Sequence, residues 1–262
     1  MKNTKLILIW TLVMIFSTSP LMSQEYFYKI YQFETPYQGH VQMNLWNTYI
    51  NNSKQSFDHF GKEISDNHLF AHSIEAEYGL TDHLEVDAYA DFHNPKAGSF
   101  TFMRSHFSAL YRIGERFDNF VNIALYAEYY FPRRAYSNSQ EAEFRLILDK
   151  DFEDFRVVLN PTISKVTTGD EDKRLAPGLS AGAYYRRHFF VQPGVEFYED
   201  FNEKTSILFP TLVFNLTPSI FWNVSAGFGL TNKSDKNLFK SILTFDIEAI
   251  RPSKLFRKRL AG

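Results

Sequence analysis

Three features are missing from this chain. It has no cysteine, which excludes disulfide bonds, thiolate catalysis and cysteine-ligated metals. Beyond residue 23 it has no apolar stretch of helix-spanning length, which argues against a protein that crosses a membrane with helices. An excess of one charge is missing too, because 28 basic residues balance 30 acidic ones to a formal net charge of -2. That balance predicts no nucleic-acid partner.

Aromatic residues, by contrast, are abundant. The chain has 27 phenylalanines and 15 tyrosines, yet its mean hydropathy is only -0.30. A soluble domain would have to bury most of these rings. A transmembrane β-barrel places them on its lipid face and in its interfacial girdles, while a polar lumen face keeps the overall hydropathy low.

The N-terminus has the order of a secretory signal peptide. Lys2 and Lys5 precede an apolar run from Leu6 to Phe16, and small polar residues follow. We therefore predict a signal peptide over residues 1–23 and a periplasmic N-terminal segment over 24–36. The alternative is an uncleaved anchor helix, but the apolar run is short for a span of about 20 residues.

Hydrophobicity with a period of two predicts long β-strands. From Val121 to Phe131 every second residue is apolar, and the same alternation runs through Glu141–Leu148 and Phe239–Glu248. Strands of about 9–11 residues match a tilted bilayer span. We predict an all-β fold, a transmembrane antiparallel β-barrel of about 12 strands over residues 37–250. The predicted strands lie near 38–50, 68–80, 84–92, 100–113, 120–131, 140–149, 155–165, 175–186, 189–199, 206–216, 220–230 and 239–249.

The connections between these strands alternate in length, which predicts an orientation. Long polar connections such as 51–67 would lie outside the cell, and short turns such as 217–219 would lie in the periplasm with both termini. Prolines inside four predicted strands oppose the assignment, because proline lacks a ladder donor. We expect them to mark strand ends or bulges: Pro161, Pro177, Pro193 and Pro210.

The hairpin over residues 70–92 has an acidic face. Its apolar positions stay on one face only if the turn has an odd number of residues, which predicts a three-residue turn at 81–83. Glu77 then lies opposite Asp87. The other carboxylates on this face are Glu75, Glu85 and Asp91.

Two segments carry a family resemblance. The run EYGLTDHLEVDAYADF (Glu77–Phe92) and the run PYQGHVQMNLWNTY (Pro36–Tyr49) resemble an outer-membrane barrel family named for the meta-cleavage pathway of phenol degradation. The family's hallmark is the tyrosine-glycine-leucine-threonine-aspartate turn between two strands with acidic residues. The resemblance implies a transporter or channel in the outer membrane.

Charged residues on the polar strand faces should line the lumen, because charge facing lipid is costly. They either fill the interior with salt bridges or select solutes, and a barrel of about twelve strands allows both. Arg156 and Arg186 could also reach across the barrel. The predicted lumen-lining and selectivity residues are Glu75, Glu77, Glu85, Asp87, Asp91, Arg104, Arg112, Glu128, Glu143 and Arg145.

An enzyme is the alternative function. His106 and Ser108 form a His-x-Ser pair on one strand face, as in outer-membrane lipid hydrolases, but alternation places them on the lumen side with Arg104. His68 and His72 would lie about 13 Å apart on a strand and cannot share a metal. We therefore predict no catalytic residue, no metal and no cofactor.

The sequence thus predicts an outer-membrane channel or transporter for small solutes in a Gram-negative bacterium. Its expected partners are outer-membrane lipid and lipopolysaccharide, the barrel-assembly machinery and an unidentified small solute. A plugged structural barrel remains the other non-enzymatic possibility. Many barrels stop on an aromatic residue that closes the last strand, whereas here residues 251–262 follow it, and we predict that they form a basic periplasmic tail, with Phe245 or Phe256 as the alternative closing residue.

Overall fold

The computed structural model describes residues 27–58, 63–95, 98–169 and 174–247. The predicted signal peptide (1–23) and basic tail (251–262) lie outside the described residues. No helix that is both long and apolar enough to cross a membrane occurs in the described part of the chain.

Twelve antiparallel strands form a closed barrel, which confirms the predicted fold class. The described residues form fourteen strands: β1 (Val41–Asn52), β2 (Ser56–Asp58), β3 (Glu63–Ser65), β4 (Phe70–Thr81), β5 (Leu84–Asn94), β6 (Thr101–Ile113), β7 (Asn122–Pro132), β8 (Gln140–Phe152), β9 (Phe155–Thr168), β10 (Leu175–Tyr185), β11 (Val191–Asp200), β12 (Thr205–Thr217), β13 (Ile220–Gly229) and β14 (Asn237–Asp246). Two of them, β2 and β3, lie outside the barrel. Each barrel strand pairs with the barrel strands before and after it in sequence, and β1 closes the barrel by pairing with both β4 and β14.

The connections define two ends of the barrel. The first long connection contains β2 and β3, which pair as a separate two-stranded sheet that the alternation did not predict. Long and short connections do not alternate throughout, since 114–121 on the short side exceeds 201–204 on the long side. We call the end with connection 53–69 the loop end and the end with connection 82–83 the turn end.

None of the four strand prolines coincides with a bulge, and Pro161 and Pro210 lie well inside their strands, contrary to the prediction. Pro161 pairs with Leu179 of β10, and Pro210 pairs with Val195 of β11. Because proline has no N–H donor, pairing is interrupted with the neighbouring strand on the other side of the proline. Between β8 and β9 the paired residues stop at Arg145 and resume at Leu148 with the register unchanged. The closed barrel therefore tolerates Pro161 and Pro210 as local gaps in one ladder. Pro177 and Pro193 keep their pairing to β9 and β12, but the ladder between β10 and β11 begins and ends beside them, at Gly178 and Gly194.

Large apolar side chains cover the outer face of the strands, whereas the inner face carries buried charged and polar side chains together with rings such as Tyr89 and Tyr126. Phe107 and Phe144 on the outer face are 53% and 60% exposed. In β4 the alternating neighbours Glu75 and Glu77 are buried. A polar interior within an apolar exterior is the reverse of a soluble fold and is the pattern of a barrel that faces lipid.

The acidic hairpin has the predicted register. Glu77 lies opposite Asp87, and Gly79 lies opposite Glu85. The turn itself differs from the prediction, because Thr81 pairs with Leu84 and the register shifts at Leu80. The connection is therefore a two-residue turn next to a bulge, and the bulge keeps both strand faces in phase.

Residues 27–36 lie inside the barrel, although they belong to the segment predicted to be periplasmic. Phe27, Tyr28, Tyr31 and Phe33 are all buried. The backbone amide of Tyr31 donates to the side chain of Asn160, on the inner face of β9. The aromatic side chains explain the correction, because they pack against rings on the inner face of the barrel: Phe27 on Trp46, Tyr28 on Tyr198 and Tyr31 on Tyr126. We call residues 27–36 the plug.

Candidate functional site

The lumen is the candidate site, and all ten predicted lining residues face it. Eight of them are buried, and the side chains of Arg104 and Arg112 are 18% and 13% exposed. They do not form a single cluster. The barrel divides them among an acidic group, a histidine group in the middle of the lumen, the pair Glu143–Arg145, and Arg112 at the turn end.

The acidic group lies on β4 and β5 and binds the plug. The Lys29 ammonium lies 3.2 Å from Glu75 Oε1 and 2.8 Å from Glu77 Oε1. Asn44 donates to both carboxylates at 2.7 and 2.8 Å. Burial opposes the charge on the ammonium, but Glu75 and Glu77 outweigh it and raise the pKa of Lys29 well above its usual value. Lys29 is therefore a cation held by anionic wall residues.

Further along the same wall, Glu85 and Asp87 continue the row of carboxyl groups toward the turn end. Both are buried, and Ser108 of β6 donates a hydrogen bond to Asp87. The second carboxyl oxygen of Asp87 has no hydrogen-bond partner among the described residues. Lys29 of the plug thus pairs with only part of the acidic wall.

The histidine group joins β5, β6 and β7. His106 contacts Glu128 through Nδ1 and Asp91 through Nε2, the latter at 3.2 Å. Arg104 Nε donates to Asp91 at 2.7 Å, and Tyr89 stacks on the imidazole with ring centroids 4.0 Å apart. Both imidazole nitrogens are therefore engaged by carboxylates.

This geometry argues against the lipid hydrolase. His106 and Ser108 do share the lumen face, as predicted. A serine nucleophile needs a base within hydrogen-bond reach, but Ser108 donates to Asp87 and His106 is held by Glu128 and Asp91. No group of three histidine or acidic residues able to hold a metal occurs among the residues that the structure describes.

A basic group faces the acidic one near the turn end. Arg116, in the connection 114–121, and Arg156 of β9 both bind Glu34 of the plug, at 2.7 and 2.8 Å. Asp149 and Asp151 partly balance these arginines. The plug therefore presents a cation to the acidic wall and an anion to the basic wall.

The plug is also held through its rings and its backbone. Tyr31 packs on Tyr126 with centroids 4.4 Å apart, and the Arg145 guanidinium lies 4.5 Å from the Tyr31 ring. Asn160 accepts from the Tyr31 amide at 2.9 Å and donates to the Tyr31 carbonyl at 3.0 Å. Asp149 accepts from the amide of Phe33 at 3.1 Å.

A cavity of about 300 Å³ lies at the loop end of the lumen. Tyr28 of the plug lines it together with Tyr198, Glu143 and Arg145. At the other extreme of the plug, Thr35 bonds to the carbonyl of Asp82 in the turn 82–83. The plug therefore extends from the loop-end cavity to the turn end.

A second buried ion pair joins two strands beside Tyr28 of the plug, whose ring packs on Tyr198 with centroids 5.1 Å apart. Lys240 of β14 contacts Glu196 of β11, and both side chains are 1% exposed. Tyr184 and Tyr198 donate to the same carboxylate at 3.0 and 2.6 Å. Neither charge belongs to the predicted set, because β11 and β14 are not neighbouring strands and the alternation of residues does not show that the barrel brings the two charges together.

The sequence-based set also omits Lys29, Glu34, Asp149 and Asn160. A signal for the plug does exist in the sequence. The run from Phe27 to Phe33 carries four aromatic residues directly before the first strand, and such a run is costly to leave in water. It indicates burial, although it does not indicate where.

Gly79 lets the chain pass from the plug into β1. The amide of Gly39 donates to the carbonyl of Gly79 at 2.8 Å, so the segment before β1 crosses β4 at close range. A Cβ added at Gly79 would lie 2.2 Å from the carbonyl oxygen of Tyr37. This close approach gives a physical reason for the glycine in the tyrosine-glycine-leucine-threonine-aspartate turn.

We expect Gly79→Ala to destabilise the barrel by about 1–3 kcal/mol, the usual cost of overpacking. The measurement is the urea midpoint of unfolding in detergent micelles. Gly178→Ala is the matched control in another strand, where the nearest atom to an added Cβ is 3.3 Å away. Equal losses in the two variants would show that the crossing at Gly79 imposes no special constraint.

Solved outer-membrane channels have a similar fold. The KdgM porin in complex with disordered oligogalacturonate matches with a TM-score of 0.57 at 9% identity, over 78% of this chain and 98% of that chain. An outer-membrane channel from Pseudomonas putida F1 matches with a TM-score of 0.56 at 13% identity, over 81% and 97%. The NanC porin matches with a TM-score of 0.54 at 10% identity, over 79% and 98%.

No protein-family model matches the chain, and no curated protein matches its sequence. The resemblance to the meta-pathway barrel family therefore stays a prediction. What the comparisons establish is the architecture. The chain has the all-β, twelve-strand antiparallel barrel fold of outer-membrane channels.

Proposed function

We propose that this protein is an outer-membrane channel for small solutes and that residues 27–36 plug its lumen reversibly. The observation that carries the proposal is the plug itself. It contributes no strand to the closed barrel, yet it lies between the loop-end cavity and the turn end. Withdrawal of the plug would leave the hydrogen-bonded wall intact and would join the two ends.

The outer membrane is the location that the fold supports. The barrel strands run from Ile220–Gly229 with 10 residues to Phe155–Thr168 with 14, which is enough for a tilted bilayer span. Their outer faces carry exposed apolar side chains such as Phe107 and Phe144. The similar fold of the KdgM and NanC porins supports the same environment and a channel function.

The contacts of the plug suit a reversible element. Lys29 and Glu34 are held by ion pairs, and the backbone is held by side-chain hydrogen bonds. Water and ions can replace such contacts once the lumen is hydrated, whereas buried apolar packing has no such substitute. A second candidate is a permanently plugged structural barrel, and the burial of Phe27, Tyr28 and Phe33 favours it.

The test of the proposal is ion selectivity in planar bilayers. We expect discrete conductance steps with a preference for cations, because Glu75, Glu77, Glu85 and Asp87 line one wall. Neutralising these four with glutamine and asparagine should reduce the cation-to-anion permeability ratio several-fold. It should also lengthen the open times, because Glu75 and Glu77 would no longer form ion pairs with Lys29.

Glu153→Gln removes a carboxylate from the exposed turn between β8 and β9 and should leave the permeability ratio unchanged. Absence of conductance in the full chain and also in a chain without the plug would contradict the channel and leave the plugged structural barrel.

A further inference from the structure

The inner wall contacts the plug as a binding site contacts a peptide. Asn160 uses its amide oxygen and nitrogen to bond the amide and the carbonyl of the same residue, Tyr31. Asp149 accepts from the next amide but one, that of Phe33. These bonds engage backbone groups that every residue except proline supplies. The wall therefore recognises a peptide main chain at two points.

Side chains of the plug occupy sites of distinct chemistry. The ammonium of Lys29 lies between Glu75 and Glu77. Two positions later, the ring of Tyr31 is covered by Tyr126 and Arg145. The wall thus provides a cation site followed by an aromatic site, separated by one residue along the bound chain.

The next ring of the plug has a cationic environment. The guanidinium groups of Arg112 and Arg116 lie 5.3 and 5.5 Å from the Phe33 ring. Arg116 also binds the carboxylate of Glu34. A chain that fits the whole site therefore carries a basic residue, then an aromatic residue, then an aromatic residue followed by an acidic one.

We infer that the lumen is a peptide-binding site and that the plug occupies it as a tethered ligand. With the plug withdrawn, the site takes free oligopeptides with the pattern basic-x-aromatic-x-aromatic-acidic. This inference rests on the proposed function, because a free peptide can enter only a lumen that the plug has left. It extends that function by naming the class of solute.

Tethering explains why the plug is bound in the full chain. A covalently linked segment has an effective concentration in the millimolar range. A free peptide at micromolar concentration cannot compete with it. Peptide binding should therefore be measured on a barrel without residues 27–34, the part of the plug that includes Lys29, Tyr31, Phe33 and Glu34; this deletion is called the barrel without the plug.

The experiment adds the fluorescently labelled peptide FYKIYQFE, the sequence of residues 27–34, to the barrel that lacks those residues. Anisotropy is expected to show saturable binding to this barrel and at least about tenfold weaker binding to the full chain, because the tethered plug competes. In planar bilayers the same peptide should block the current of the barrel without the plug.

Two altered peptides and two barrel variants test the mode of binding. Methylation of the backbone nitrogen of Tyr31 removes the donor to Asn160, and Lys29→Glu reverses the charge at the cation site. Each change should weaken binding about tenfold, as the loss of one charged or well-formed contact does. Asn160→Leu in the barrel should have the effect of the methylation. Thr211→Val alters a buried inner-face residue that bonds to Ser225 and should leave the affinity unchanged.

The outcomes separate the inference from the proposed function. If the barrel without the plug conducts but the peptide neither binds nor blocks, the peptide-binding inference is wrong and the channel stands. If binding occurs but is insensitive to the methylation and to Asn160→Leu, the lumen binds aromatic side chains through nonspecific apolar contacts and does not recognise a peptide main chain. If that barrel does not conduct, the channel itself is wrong, whatever the anisotropy shows.

Discussion

Lys29→Glu is expected to open the barrel. The substitution replaces an ammonium that binds Glu75 and Glu77 with a carboxylate that repels them. Breaking a largely buried ion pair costs about 3 kcal/mol, which shifts the equilibrium between the plugged and the open lumen on the order of a hundredfold. The measurement is the open fraction of single channels in planar bilayers.

The deletion of residues 27–34 gives the upper limit for this effect. A chain without the plug should remain open throughout the recording, since nothing then competes for the lumen. Lys54→Glu makes the same charge reversal at an exposed residue of the first long connection and should leave the open fraction at the level of the full chain.

Rescue by the opposite reversal makes the mechanism specific. Combining Lys29→Glu with Glu77→Lys restores an ion pair at the same position, so the open fraction should return toward that of the full chain. Opening by the deletion together with persistent closure by Lys29→Glu would show that rings and backbone bonds hold the plug without the ammonium.

The wall of the barrel was predictable from the sequence because its causes are local. Apolar and polar residues alternate along β7 and β8, and the pairing of Glu77 with Asp87 follows from parity across one turn. Each of these relations involves residues close together in the chain. Two-residue periodicity therefore gave the strands, their faces and the inward direction of the charges.

The contents of the lumen were not predictable in the same way. Tyr31 bonds to Asn160 at a separation of 129 residues, and Phe33 bonds to Asp149 at a separation of 116. The plug has no regular period, since its side chains contact different strands around the barrel. The partners of the plug are spread over the barrel wall, and the sequence does not identify them. An irregular segment before the first strand is therefore interpreted as a periplasmic extension.

Lys240 and Glu196 show the same limit for single charges. Alternation places each of them on an inner face, but it does not say that β11 and β14 bring them together. The structure pairs them and completes the carboxylate with hydroxyl groups of Tyr184 and Tyr198. A lumen charge that looks available for solutes from the sequence is thus committed to the wall.

Lys240→Met is expected to cause the largest loss of stability of any single substitution considered above. Removing one partner of a buried ion pair leaves an uncompensated charge and costs about 3–5 kcal/mol. Glu196 would keep its bonds from Tyr184, Tyr198 and Asn223, but those neutral donors do not balance its charge. The measurement is the free energy of unfolding in urea with the barrel in detergent micelles.

A double variant shows whether charge balance is the cause. Adding Glu196→Gln to Lys240→Met removes the stranded carboxylate, keeps an acceptor for the tyrosine hydroxyls, and should restore most of the lost stability. Lys165→Met, at an exposed position of β9, should change the free energy by no more than about 0.5 kcal/mol. If the double variant were as unstable as Lys240→Met, the balance of charge with Glu196 would not be the cause, and contacts of the lysine with other groups, such as that of its ammonium with the Phe209 ring, would be what stabilises this side of the lumen.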